Sequence, residues 1–224
     1  MFVIYITRNE VVNIMIIRNE LKSDYRHVEE LTRKAFWNLN TPGCDEHYLV
    51  HVMRNHQDFI PELDFVIEYD NSVIANIMYT KAKLIDEKGN EKSILTFGPL
   101  SVLPEYQRNG YGKKLLEYSF QKATKFGYDA IVIFGNPENY ISSGFKSSKH
   151  YNICIGDNIF PTALLVKELC TGAIPNGNWT FHESAVYKID SNAAEEFNKT
   201  FETLIKEYKP SQELFYIYSH SQVF

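Results

Sequence analysis

Cysteine is scarce in this chain of 224 residues, which has three thiols, Cys44, Cys154 and Cys170, scattered without paired spacing. An odd, unpaired set argues against a disulfide framework and suits a reducing compartment, so a cytoplasmic location is expected. Long apolar runs are missing too. Phe2 to Ile6 is too short for a membrane span or a signal-peptide core and runs straight into Arg8, Asn9 and Glu10, so neither export nor a membrane partner is expected. Positive charge is not in excess: 23 Lys and Arg stand against 28 Asp and Glu, a net charge of -5, which leaves no electrostatic footprint for nucleic acid. There is no internal repeat or low-complexity tract. What remains is a globular chain long enough for one well-buried core and an appendage.

Periodicity gives that core an alternating α/β order. Met15-Ile16-Ile17-Arg18 reads as a natural first strand, which makes residues 1–14 an extension upstream of an internal start. Ser23 or Asp24 caps a helix with Val28, Leu31, Ala35 and Phe36 on one face, and Thr41-Pro42-Gly43 stops it. A second helix follows Asp45, with Leu49, Val52 and Met53 together, and ends before Pro61. Phe65 to Tyr69 and Ser72 to Leu84 flank the tight turn Asp70-Asn71, and Asp86 to Asn90 turns the chain into Ser93 to Val102. Leu115, Leu116, Ser119, Phe120 and Ala123 then mark a helix closed by Gly127, and Ala130 to Phe134 reads as a buried strand. Beyond Gly172, Trp179 to Tyr187 alternates weakly and Ala193 to Tyr208 reads as one helix. Residues 173–224 are therefore a C-terminal extension, packed on the core or lying at a subunit interface of a homodimer.

The stretch Gln107-Arg108-Asn109-Gly110-Tyr111-Gly112-Lys113 joins a strand to an amphipathic helix. Two glycines allow a tight turn, the first turn of the helix leaves N–H groups without partners, and the helix dipole adds partial positive charge, so the turn is an anion cradle suited to pyrophosphate. Arg108 and Lys113 flank it with charge. Gly112 is followed by Lys113-Lys114 where a nucleotide P-loop needs Lys then Ser or Thr, and Leu115 stands where a dinucleotide fingerprint needs its third glycine. ATP and NAD are both disfavoured.

The pattern that does match is the Gln/Arg-x-x-Gly-x-Gly/Ala signature of the Gcn5-related N-acetyltransferase superfamily, which the chain resembles. Leu95 to Tyr106 looks like the family's central strand and the loop into its cofactor helix, and Tyr140-Ile141-Ser142-Ser143-Gly144-Phe145 looks like its Tyr-x-x-x-Gly-Phe segment. The resemblance spans residues 15–172 and is closest to uncharacterised bacterial acetyltransferases with a Phe-Gly-Pro-Leu strand. It implies a mixed, mostly antiparallel twisted sheet with a splayed pair of parallel strands, flanked by helices. It also implies acetyl-CoA as co-substrate, with pyrophosphate on residues 107–113 and the pantetheine arm along the backbone of Leu100, Ser101 and Val102. Asn136 either bonds that arm or caps a short helix before Pro137.

Transfer to an amine acceptor needs an acid for the leaving thiolate, a base for the ammonium and a donor for the carbonyl oxygen. Tyr140 is the expected acid. Many relatives carry a glutamate on the central strand, but Ser93 to Val102 contains no acid. The base is therefore sought in Cys44-Asp45-Glu46-His47, where Glu46 comes first and His47 second, acting through water. Cys44, His47 and His51 also share one helical face at i, i+3 and i+7, which permits zinc, but the order is not that of a metalloprotease and no metal is expected. The expected activity is an acetyl-CoA-dependent N-acetyltransferase. A non-catalytic acyl-CoA sensor would keep the cradle without needing Tyr140, and a zinc hydrolase would need the Cys44 trio.

Overall fold

A computed structural model describes residues 2–8 and 11–224, with side chains from Ile14 onward. Met1, Asn9, Glu10 and the side chains before Ile14, which make up most of the expected extension 1–14, lie outside the described residues. The elements in chain order are β1 (Phe2–Arg8), β2 (Val11–Asn19), α1 (Tyr25–Phe36), α2 (Glu46–Met53), β3 (Phe65–Tyr69), β4 (Ser72–Asp86), β5 (Glu91–Val102), α3 (Tyr111–Lys125), β6 (Ala130–Phe134), α4 (Pro137–Tyr140), β7 (Lys146–Ser147), β8 (Ile153–Cys154), β9 (Leu164–Glu168), β10 (Trp179–His182), α5 (Ser191–Asn198) and α6 (Pro210–His220). The strand expected at Met15 begins upstream, at Val11, and pairs with β1.

Local chemistry accounts for most of these boundaries. Asp70 and Asn71 both take positive φ (50° and 61°), the two-residue turn whose twist suits the β3–β4 hairpin. Gly127, at φ 87°, closes α3, with its N–H on the Thr124 carbonyl and the Tyr128 N–H reaching back to Ala123. Asp24 precedes α1 but makes no cap bond, because Arg18 holds its carboxylate at 2.6 Å.

The sheet runs β1-β2-β3-β4-β5-β6-β9-β7, and along this path β5–β6 is the parallel step. These two strands meet at one pair, Leu95 with Ile131. The β4–β5 register passes from Tyr79 opposite Phe97 to Ile77 opposite Leu100, so Gly98 and Pro99 together oppose Met78, a β-bulge. The mixed, mostly antiparallel sheet with one splayed parallel pair agrees with the expected fold class.

Helices cover both faces. Ser101, fully buried, meets Thr32 of α1 at 2.9 Å between hydroxyls. Its neighbours Leu100 and Val102 point the other way, toward the first turn of α3, and Tyr79 anchors α3 through Ser119 at 2.8 Å. The layers join at a buried ionic knot in which Arg54 holds Glu20 at 2.7 Å and Glu29 at 2.8 Å. Asp64 beside it has its pKa pushed well up by burial and then by Glu20, while Asn76 donates to it at 2.9 Å.

The C-terminal region differs from the single helix expected over Ala193 to Tyr208. α5 ends at Asn198, and residues 201–209 run as an irregular strap. Side chains of α1 and the residues after it claim the groups a continuing helix would use: Arg33 donates to Asn198 Oδ1 (2.7 Å) and to the Glu202 carbonyl (2.9 Å), while Trp37 and Asn38 both donate to the Ile205 carbonyl (2.9 Å each). α6 follows with Pro210 in its first turn. β10 joins the main sheet by pairing with β4.

His47 of α2 is sealed by this extension, its ring 5.6 Å from Phe197 and 5.2 Å from Phe201. Burial, aided by Arg33 and Arg26, depresses its pKa from 6.5 to about 4. The unfolded chain therefore binds a proton between those values that the folded chain does not, and stability falls as pH drops through the window. Denaturant titrations of wild type and His47→Phe between pH 7 and 4 are expected to differ in slope, the wild type losing up to about 3 kcal/mol more.

Candidate active site

The glycine turn read as a cradle lies at the N-terminus of α3. Gly110 sits at φ 82°, a conformation that favours glycine, and no side chain caps the helix, so its first-turn N–H groups face outward from the bend. A Cβ built on Gly110 meets nothing within 4 Å, so the mouth of the turn is open. Gly112 lies where a Cβ would be 3.6 Å from Val102 Cγ2, which brings the helix entry against the end of β5. Gln107 ties the loop to the strand by donating to the Val102 carbonyl at 3.0 Å, and Asn109 donates to the Gln107 carbonyl at 2.9 Å. Arg108, itself at φ 61°, and Lys113 are exposed around the turn. This open, uncapped, positively flanked turn fits a pyrophosphate.

From the cradle a gap leads back between β5 and β6. After Leu95 the β6-facing edge of β5 has no strand partner among the described residues, and Pro99 carries no N–H. The backbone of Leu100, Ser101 and Val102 pairs with β4 on one side and borders the gap on the other.

Tyr140 stands across that gap, at the end of α4. Its half-buried ring packs 5.7 Å from both Phe97 and Phe145, on the α3 side of the sheet. The ring also lies over Gly135, where a Cβ would come within 2.6 Å of Tyr140 Cε2, so the lack of a side chain at 135 is what admits the phenol. Desolvation pushes its pKa up to about 12, which keeps the hydroxyl protonated throughout the neutral range. Asn136 caps α4, its Oδ1 accepting from the Glu138 N–H at 3.0 Å.

Tyr187, which sequence reasoning did not single out, reaches the bulge from the opposite face. Its hydroxyl donates to the Gly98 carbonyl at 3.4 Å, accepts from Thr80 at 3.5 Å and also bonds Thr96. Burial raises its pKa, Thr80 and Thr96 oppose the rise, and the nearby charge of Glu183 adds to it. The turn that carries Tyr187 is pinned by Ser184, which donates to Asp58 at 2.7 Å. Weak alternation over residues 179–187 was the only trace of this in the sequence.

The other candidates have partners of their own. Glu46 folds back on its own helix entry, accepting from Asn40 at 3.0 Å and from the Asp45 N–H at 3.2 Å, and burial raises its pKa. Cys44 Sγ touches His47 Nδ1 at 3.5 Å, whereas His51 turns to Glu29 at 3.0 Å. Among the described residues no group of three candidate metal ligands comes together. Two surface cavities lie away from the gap, one of about 160 Å³ walled by Asp86, Asp157 and Trp179, the other of about 280 Å³ walled by Phe59, Phe126 and Tyr128. No helix among the described residues is long and apolar enough to cross a membrane.

Comparison with known proteins agrees with this geometry. Two curated Escherichia coli (strain K12) proteins are similar: the uncharacterized N-acetyltransferase YhbS, 27% identical over 139 residues (62% of this chain and 78% of that protein), and the uncharacterized N-acetyltransferase YjhQ, 26% identical over 149 residues (66% and 75%). The crystal structure of Escherichia coli YhbS in complex with CoA shares the fold, with a TM-score of 0.67 at 22% identity over 78% of this chain and 92% of that one. A GNAT family acetyltransferase from Brucella melitensis in complex with acetyl-CoA follows at 0.59 and 23%, covering 77% of this chain and 97% of that one. The profile described as "Acetyltransferase (GNAT) family" matches residues 28–145, more than half the chain, from within α1 to the phenylalanine after Gly144. With the splayed strands, the glycine turn and the profile in agreement, the chain belongs to the GNAT family of acetyltransferases.

Proposed function

We propose that this protein transfers an acetyl group from acetyl-CoA to a primary amine of a small molecule or protein, by direct attack within a ternary complex. The observation that carries this reading is convergence. One gap is bordered by an uncapped helix N-terminus at Gly110, an edge of β5 without a strand partner and a protonated phenol at Tyr140. In this reading the first-turn N–H groups of α3, with Arg108 and Lys113, hold the pyrophosphate, and the backbone of Leu100 to Val102 and the amide of Asn136 hold the pantetheine arm.

Each remaining role follows from charge. Attack on the thioester builds negative charge on the carbonyl oxygen, and losing one donor in comparable sites costs about 2.7 to 4 kcal/mol. That donor falls to an N–H of the Leu100–Val102 stretch, since Pro99 has none. Tyr140 supplies the proton for the departing sulfur. With its pKa near 12 and that of an ordinary thiol near 8.5, this transfer alone is uphill by about 3.5 units, or about 5 kcal/mol, so it must be coupled to loss of a proton from the attacking nitrogen. A sensor would have no use for a glycine at 135 that makes room for this ring, which favours catalysis over binding alone.

Free thiol release from acetyl-CoA across a panel of amines tests the transfer, and release that depends on the acceptor is expected. Tyr140→Phe should lower turnover by about 10- to 1000-fold while isothermal titration shows unchanged acetyl-CoA affinity; an unchanged rate removes Tyr140 from the mechanism. Gly135→Ala should also lower turnover without weakening acetyl-CoA binding, because the ring must move. Gly110→Val forces a β-branched residue to positive φ in the cradle, and acetyl-CoA affinity should fall at least about tenfold. Intact binding would refute the cradle.

A further inference from the structure

The last helix is apolar round most of its circumference and yet largely uncovered. Leu214, Phe215, Tyr216 and Ile217 of α6 hold successive positions, so at 3.6 residues per turn they point to every side, and each keeps 44 to 56% of its surface exposed. Polar bonds at the two ends set its position instead. Ser211 donates to the Leu39 carbonyl at 2.8 Å and Gln212 to the Asn38 carbonyl at 3.1 Å. At the other end the Thr162 N–H donates to the Ser221 carbonyl at 3.0 Å and the Val223 N–H to the Phe160 carbonyl at 2.9 Å. Such bonds fix where a helix lies without burying its side chains. A helix of 11 residues is marginal in water by itself, and one that is apolar all round is stable when buried, so its cover comes from another surface.

One face of α6 complements itself. Glu213, Tyr216, Ile217 and His220 fall at i, i+3, i+4 and i+7 and share the side opposite the half-buried Ser211 and Tyr218. An acid in the first turn and a histidine in the last close the two ends of this stripe, and the midpoint between them falls between Tyr216 and Ile217. A second α6 laid antiparallel across a two-fold axis at that midpoint therefore sets each Glu213 against the partner's His220 and each Tyr216 against the partner's Ile217. The antiparallel order also brings opposite ends of the two helix dipoles together. Charges before the helix are paired within the chain, Lys206 with Glu195 at 2.6 Å and Lys209 with Glu207 at 3.2 Å, so they cancel within each copy.

We propose that α6 is the interface of a homodimer, in which it docks antiparallel on α6 of a second copy of this chain. The area suffices. Ile205 and Tyr208 before the helix and Phe224 after it are 66 to 95% exposed. At about 200 Å² for a large side chain, the uncovered apolar surface in and beside α6 comes to roughly 800 to 900 Å², against about 800 Å² that each partner buries in a stable complex. Composition favours a protein copy over a lipid surface. The helix has aromatic residues at its centre, as interface cores do, and carries no Lys or Arg to hold a lipid headgroup.

Light scattering and sedimentation of the full chain test the dimer with no acceptor or cofactor present. Wild-type protein at about 100 μM, where an interface with Kd near 1 μM is almost fully occupied, should have twice the 26.1 kDa mass of one chain. Ile217→Glu sets two carboxylates beside the axis and should give a monomer with an unchanged circular dichroism spectrum. His220→Glu faces the partner's Glu213 with a like charge and should weaken the dimer about tenfold, and adding Glu213→Lys should bring it back to within about threefold of wild type. A monomeric wild type overturns the proposal, and co-sedimentation of that monomer with phosphatidylcholine vesicles would assign the face to lipid instead. A dimer that survives Ile217→Glu is formed elsewhere on the chain, and a double variant as weak as His220→Glu alone overturns the antiparallel register.

Discussion

Everything around the site depends on two parallel strands that meet once and part. Leu95 and Ile131 pair, and the two residues Gly98 and Pro99 opposite the single Met78 then turn the β5 backbone out of register. A sheet that continued pairing would spend its hydrogen-bonding groups on itself. Because proline has no N–H and glycine accepts the bulged geometry, β5 leaves one edge for a ligand in the middle of an otherwise paired sheet. The gap is thus a consequence of backbone chemistry, and side chains only decide what happens at its borders.

Those borders divide the work by face. On the α3 side lie the glycine turn and the Tyr140 ring, packed on Phe97 and Phe145. On the α1 side lie Thr80, Thr96 and Tyr187, whose hydroxyl donates to the Gly98 carbonyl. The sheet between them is held by the hydroxyl contacts of Thr32 with Ser101 and Tyr79 with Ser119, which fix α1 and α3 to β5 and β4 through buried bonds with little freedom. The C-terminal extension contributes β10 to the sheet, Tyr187 to the bulge and Phe197 and Phe201 to the cover of His47, and its strap is held by Arg33, Trp37 and Asn38, so its packing is tied to the core along its length.

How much of this was legible in the sequence depended on whether the physics was local. The Asp70-Asn71 turn, the Gly127 stop and the glycine turn at 110–112 were readable because each is a backbone conformation that few residues tolerate. Tyr140 was readable through its spacing from Gly144 and Phe145. The helix expected over Ala193 to Tyr208 was not, since its apolar spacing is real, but Arg33, Trp37 and Asn38, more than 160 positions earlier, take its carbonyls. Glu46 was named as a base because Ser93 to Val102 contains no acid, and only coordinates reveal that its carboxylate accepts from Asn40 and the Asp45 N–H.

The sequence by itself therefore determined most of the elements from β2 to β6, the glycine turn at the entry to α3 and the family, because glycine, proline and periodic apolar residues act on their immediate neighbours. Tertiary structure decided what stands opposite the bulge. The Tyr187 hydroxyl meets the Gly98 carbonyl across 89 positions, and Gly135 admits the Tyr140 ring only because α4 folds that ring back over it. Such contacts arise from the closing of a sheet around a shared core, and pairwise proximity of that kind has no signature in local spacing.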